Sequence, residues 1–85
     1  MKEFQHSIKD EMGLHARPAS MLAMEAQKYE STITARFNGK EADAKSVIGL
    51  MTLIVKAGDT ITLSIEGADE EKAFEELISF CDANV

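Results

Sequence analysis

Asn38-Gly39 stands between two stretches in which apolar and polar residues alternate. Thr32 to Phe37 puts Ile33, Ala35 and Phe37 on one side, and Lys40 to Ala44 returns with Ala42 and Ala44 on the same side. An Asn-Gly pair accepts the left-handed backbone of a two-residue hairpin turn, so these stretches are expected to pair antiparallel. Each is apolar on one side only, which calls for a sheet with one covered face and one open face. Glu3 to Lys9 follows the same rule with Phe4, His6 and Ile8 inward. Thr60 to Glu66 follows it most cleanly, with Ile61, Leu63 and Ile65 inward. His6 on an apolar side reads as a partly covered histidine near a strand end, with a hydrogen-bond partner.

The covering layer is helical. Ala19, Leu22, Ala23 and Ala26 recur at helical spacing within a segment running from about Ala16 to about Tyr29. Their small side chains predict close approach to the sheet, and Leu14 is expected to pack back on Ala19. Arg17, Ser20, Met21, Met24, Gln27 and Lys28 fall on the other side. Ser46 suits the N-cap of a short helix from Val47 to about Leu53. That segment holds more apolar residues than one face can bury. Ile48 and Met51 are expected outside, with Leu50 and Leu53 in the core. Asp69 is the expected cap of a last helix, with Glu70 and Glu71 at its positive end and Ala73, Phe74, Leu77, Ile78 and Cys81 on its buried stripe. The order is β-α-β-β-α-β-α. It predicts an α+β open-faced β-sandwich: a single domain over residues 1–85, a four-stranded antiparallel sheet and three helices on one face.

Composition narrows the setting. No apolar run approaches the roughly 20 residues of a membrane span, and the N-terminal residues lack a signal-peptide core. A lone cysteine fits a reducing cytoplasm. The net charge is −6, and residues 66–85, with seven acids and one base, carry all of it. The rest of the chain is balanced, which argues against bulk attraction to nucleic acid or a membrane surface. A small basic cluster remains able to recognise a phosphate.

Such a cluster surrounds Gly13-Leu14-His15-Ala16-Arg17-Pro18-Ala19. With His15 as the N-cap, Pro18 falls in the first helical turn, where a missing N–H costs little. Unpartnered amides and Arg17 make this helix end positive. Positive surroundings disfavour imidazolium and leave a neutral ring with a lone pair. The same groups would hold an anion placed on that ring, with Ala16 and Arg17 as the main backbone donors. Phosphoryl transfer to the ring meets both conditions. Hydrolysis is less well served, because no carboxylate in the motif orients the imidazole and no Ser or Cys pairs with it. No metal-ligand spacing is present, and no cofactor is implied.

These residues resemble the active-site signature of HPr, the histidine-containing phosphocarrier family of the bacterial phosphoenolpyruvate:sugar phosphotransferase system. The resemblance extends along the chain through Asn38-Gly39-Lys40, Ala44-Lys45-Ser46-Val47-Ile48-Gly49-Leu50-Met51 and Glu66-Gly67-Ala68-Asp69-Glu70. It implies a cytoplasmic phosphoryl carrier, expected to act as a monomer and not as an independent enzyme. His15 would accept phosphate at Nδ1 from Enzyme I, with Arg17 and the Ala16 N–H steadying it, and pass it to the IIA domains of sugar permeases. The docking surface it implies comprises Ser20, Met21, Met24, Gln27, Val47, Ile48 and Met51. Ser46 matches the family's regulatory serine. The resemblance thereby brings in an HPr kinase/phosphorylase and a catabolite control protein as partners. Two positions depart from the family pattern: Met12, where a small polar residue is common, and His6, on a usually aliphatic strand face.

The rival reading is a regulatory interaction module, of corepressor or nitrogen-branch type, controlled mainly through Ser46. Related regulators that lack the histidine exist, so the presence of His15 counts against that reading.

Overall fold

The computed structural model describes all 85 residues, Met1–Val85. The elements follow the expected order: β1 (Lys2–Ser7), α1 (Ala16–Ala26), β2 (Thr32–Phe37), β3 (Lys40–Asp43), α2 (Val47–Met51), β4 (Thr60–Glu66) and α3 (Glu70–Asn84). The sheet runs β1-β4-β2-β3, antiparallel throughout. β4 occupies a central place, with Leu63 opposite Phe4 on one side and Ala35 on the other. Asn38 and Gly39 have φ of 53° and 80°, the doubly left-handed turn that an Asn-Gly hairpin uses.

One apolar cluster of 20 buried residues fills the space between sheet and helices. It joins Ile33, Ala35, Ile61, Leu63 and Ile65 of the sheet to Ala19, Leu22, Ala23 and Ala26 of α1 and to Leu50, Leu53, Ala73, Leu77 and Cys81. Leu14 belongs to the same cluster as Ala19. The small residues of α1 bring its backbone chiefly toward α2 and α3, where the sequence reading expects the sheet. In α3, Ala73, Leu77 and Cys81 are fully buried. Phe74 is half-buried at the sheet margin, edge-on to Phe4 with ring centroids 5.9 Å apart.

Several ends differ from the expected ones. α1 stops at Ala26, because Lys28 and Tyr29 turn their amides back to the Glu25 and Ala26 carbonyls in tightened turns. Tyr29 is thereby buried, 5% exposed. α2 closes in the same way at Met51, with Leu53 bonding to Leu50 and Ile54 to Met51. Ile54 then takes φ +56°, a conformation that β-branched residues rarely adopt.

Asp69 occupies the N-cap position of α3, yet its carboxylate makes no cap bond there. It accepts instead from the Glu30 amide at 2.9 Å, the Ser31 amide at 3.0 Å and the Ser31 hydroxyl. These bonds tie the turn after α1 to the start of α3. Glu70 serves the α3 terminus by accepting from the Gly67 amide at 3.2 Å. His6 is buried as expected on the inner side of β1, but its Nε2 has no hydrogen-bond partner. Its Nδ1 lies 3.9 Å from Asp82 Oδ1.

Candidate functional site

Asp10-Glu11-Met12-Gly13 forms the turn that carries the chain from β1 to α1. The Gly13 amide donates to the Asp10 carbonyl at 2.9 Å, and the Asp10 side chain accepts from the Met12 amide at 3.0 Å. This is a side-chain-braced turn of the kind aspartate favours. Gly13 has φ +75°, and a Cβ there would stand 2.2 Å from the Val55 carbonyl oxygen. Only glycine meets both demands. The Leu14 amide donates to that same oxygen at 2.9 Å, so the loop before α1 is fastened to the segment after α2.

His15 follows in extended conformation as the N-cap, and its carbonyl accepts the first helical bond from Ala19 at 2.9 Å. Its ring makes no cap bond. The Ala16 and Arg17 amides take no loop or cap hydrogen bond, and Pro18 has none to offer. The helix therefore uses neither the ring nor the first two amides.

No carboxylate within the motif faces the imidazole, as expected, but one just outside it does. Asp10 Oδ1 lies 3.2 Å from His15 Nε2, and Asp10 Oδ2 accepts from the Arg17 guanidinium at 3.2 Å. One carboxylate thus joins the histidine to the arginine, and the helix mouth is not uniformly positive. The Met12 amide draws the Asp10 carboxyl below its usual pKa. His15 and Arg17 act in the same direction against partial desolvation. Arg17 remains 70% exposed, and its other terminal nitrogen approaches Met21 Sδ at 3.8 Å. Sequence reasoning missed Asp10 because it stands outside the motif. An aspartate three residues before a glycine is nevertheless a turn signal that would have aimed its carboxylate inward.

The implied docking residues divide by exposure. Met24, Ile48 and Met51 are exposed, whereas Ser20, Met21 and Val47 are half-buried. Gln27 is exposed, but its amide donates to the Lys45 carbonyl at 2.8 Å, tying the end of α1 to the approach to α2. Met12 and Ile54 are further exposed apolar residues that the implied docking surface did not include. Ile54 sits next to Val55 and so beside the anchor of the His15 loop.

Ser46 caps α2 as expected, accepting from the Gly49 amide at 3.0 Å. Leu50 and Leu53 are buried and Ile48 is 77% exposed, as the spacing predicts.

An open-faced sandwich whose first helix opens on Gly-Leu-His-Ala-Arg-Pro is the build of a small phosphocarrier domain. The family described as "PTS HPr component phosphorylation site" matches this chain over residues 2–83. The HPr-like protein Crh of Halalkalibacterium halodurans is 46% identical over 80 residues, covering 94% of this chain and 95% of that protein. The phosphocarrier protein HPr of Mycoplasma genitalium is 50% identical over 74 residues, covering 86% and 84%. The crystal structure of HPr-C-His from Thermoanaerobacter tengcongensis superimposes with a TM-score of 0.92 at 40% identity, over 99% of this chain and 94% of that one. The chain belongs to the HPr family, the phosphocarrier proteins of the phosphotransferase system.

Proposed function

We propose that His15 is a transient phosphoryl acceptor, loaded at Nδ1 by phospho-Enzyme I and unloaded onto the IIA domains of sugar permeases. The observation that carries this reading is the idle N-cap. His15 stands at the mouth of α1 with its ring unused by the helix, beside the free amides of Ala16 and Arg17. A phosphoryl group on Nδ1 would meet those amides and the Arg17 guanidinium, which can leave Asp10 for the stronger anion. No surface depression is lined by His15. Donor and acceptor are therefore expected to come as whole partner surfaces that cover the ring and exclude water. The exposed apolar residues Met24, Ile48 and Met51 supply contact area for them. In this reading the protein works as a monomer in the cytoplasm.

The test is direct. Protein mixed with Enzyme I and labelled phosphoenolpyruvate should gain acid-labile phosphate that His15→Ala abolishes. An unlabelled wild type would overturn the carrier reading.

A second reading concerns regulation at Ser46, and the likeness to the HPr-like protein Crh favours it. Ser46 Oγ lies at the N-terminus of α2, one residue before Val47 and two before the exposed Ile48. A phosphate there adds roughly −1.5 to −2 charge next to the docking residues. Docking to an acidic partner should weaken and docking to a basic one should strengthen. An HPr kinase/phosphorylase with ATP should place acid-stable phosphate on the wild type and none on Ser46→Ala. The modified form should then bind a catabolite control protein. Label persisting in Ser46→Ala would move the site elsewhere.

A further inference from the structure

The ring of His15 has two nitrogens, and only one of them can serve as nucleophile at a time. A neutral imidazole carries a proton on one nitrogen and a lone pair on the other, and the partner of the protonated nitrogen decides which is which. Here that partner is Asp10. An ionised carboxylate only accepts hydrogen bonds, and Asp10 Oδ1 faces Nε2 at 3.2 Å. Asp10 is itself held from two directions, by the Met12 amide on Oδ1 and by Arg17 on Oδ2. Its backbone is pinned by the Gly13 amide. The carboxylate is therefore set in place before any partner arrives.

We propose that Asp10 is a positioning residue for phosphoryl transfer, keeping the proton on His15 Nε2, aiming the Nδ1 lone pair outward and parking Arg17 beside the ring. The inference rests on the carrier reading of His15 and specifies how the ring is prepared. In the transfer step the Nδ1 lone pair forms the N–P bond. The donor's bond to phosphorus breaks, and its electron pair leaves with the donor. The Nε2 proton stays where it is. Positive charge developing on the ring faces the Asp10 carboxylate, as the orienting carboxylate of a catalytic triad faces its imidazolium. Arg17 exchanges Asp10 for the incoming phosphoryl oxygens. On return transfer it falls back, so the carboxylate competes with the phosphate for the arginine and favours unloading.

Nitrogen-15 spectra of His15 test the first half without any partner protein. In its neutral form the wild-type ring should show a protonated Nε2 and a bare Nδ1. In Asp10→Ala the two nitrogen shifts should move toward each other as the second tautomer is populated. Asp10→Asn, whose amide oxygen can still accept from the Met12 amide and from Nε2–H, should lie between. Loading by phospho-Enzyme I tests the second half. Asp10→Ala should lower kcat roughly ten- to hundred-fold, the scale at which groups that orient a functional imidazole act, with KM little changed. Asp10→Asn should recover part of the loss. Unchanged nitrogen shifts in Asp10→Ala, a kcat within twofold of wild type, or an effect confined to KM would each overturn the inference. If the wild type takes no phosphate, the carrier reading fails, and the spectra alone decide whether Asp10 sets the tautomer.

Discussion

Gly13 and Val55 are packed so closely that a methyl group on the glycine would stand 2.2 Å from the Val55 carbonyl oxygen. The two residues belong to loops 42 positions apart in sequence, and the Leu14 amide bonds to the same oxygen. The placement of His15 thus depends on a contact with the segment that follows α2.

Gly13→Ala is expected to break that contact. The backbone would have to leave φ +75° and the two loops would have to part. Strain and clash of this kind cost about 1–3 kcal/mol. Urea unfolding should show the loss, and phosphate acceptance at His15 should fall with it. A variant as stable as wild type would mean that the two loops are not held together.

Ile54→Gly should act in the opposite sense. Ile54 is 63% exposed and left-handed, so its side chain gains little burial to offset a strained backbone. Relief of that strain outweighs the greater freedom of glycine in the unfolded chain, for a net gain of up to about 1 kcal/mol. The unfolding midpoint should rise. A lower midpoint would show that the exposed side chain makes a contact worth more than the strain.

Asp69→Ala should lower the unfolding midpoint at neutral pH by releasing Ser31 and Glu30. The Ser31 hydroxyl, then the Glu30 amide, hold the Asp69 carboxyl below its ordinary pKa. A carboxylate depressed in the folded state stabilises above its unfolded pKa, and that contribution is lost as pH falls through the folded one. The gap between wild type and variant should therefore be full at neutral pH and close below pH 3.8. Thermal melts across that range would show it, and a gap independent of pH would contradict the assignment.

His6 carries the reverse dependence. Burial pushes its pKa below 6.5, while the Val85 main chain and Asp82 favour the charged form less strongly and Lys9 opposes it. Below that value the unfolded chain binds a proton that the folded protein does not, so stability falls as pH drops from 6.5 toward the folded pKa. His6→Leu removes both this linkage and the unpartnered Nε2. Its stability should decline less than that of wild type between pH 7 and pH 5 in denaturant titrations. Parallel decline in the two proteins would place the acid sensitivity elsewhere.

The elements were legible because each is written locally. Alternation marked all four strands, and Asn38-Gly39 marked the hairpin. Ser46 marked the cap of α2, and the spacing of Ile48 and Leu50 separated surface from core. The ends of α1 and α2 were less legible, because the tightened turns after them are drawn in by the burial of Tyr29 and Leu53. Asp69 misled for a related reason. Its position is a cap position, but Ser31 and Glu30, 38 and 39 residues away, offer its carboxylate better donors.

At the opening of α1 the same division holds. The sequence by itself determined that a histidine stands at the N-cap with free amides and an arginine beside it, because helix starts and proline placement obey nearest-neighbour geometry. Tertiary structure decided what faces that ring. The Asp10 carboxylate reaches Nε2 because the turn folds back on the helix, and the turn holds because Gly13 seats against Val55. Side-chain periodicity states which face a residue occupies. Which polar group meets it there depends on how distant segments close around it.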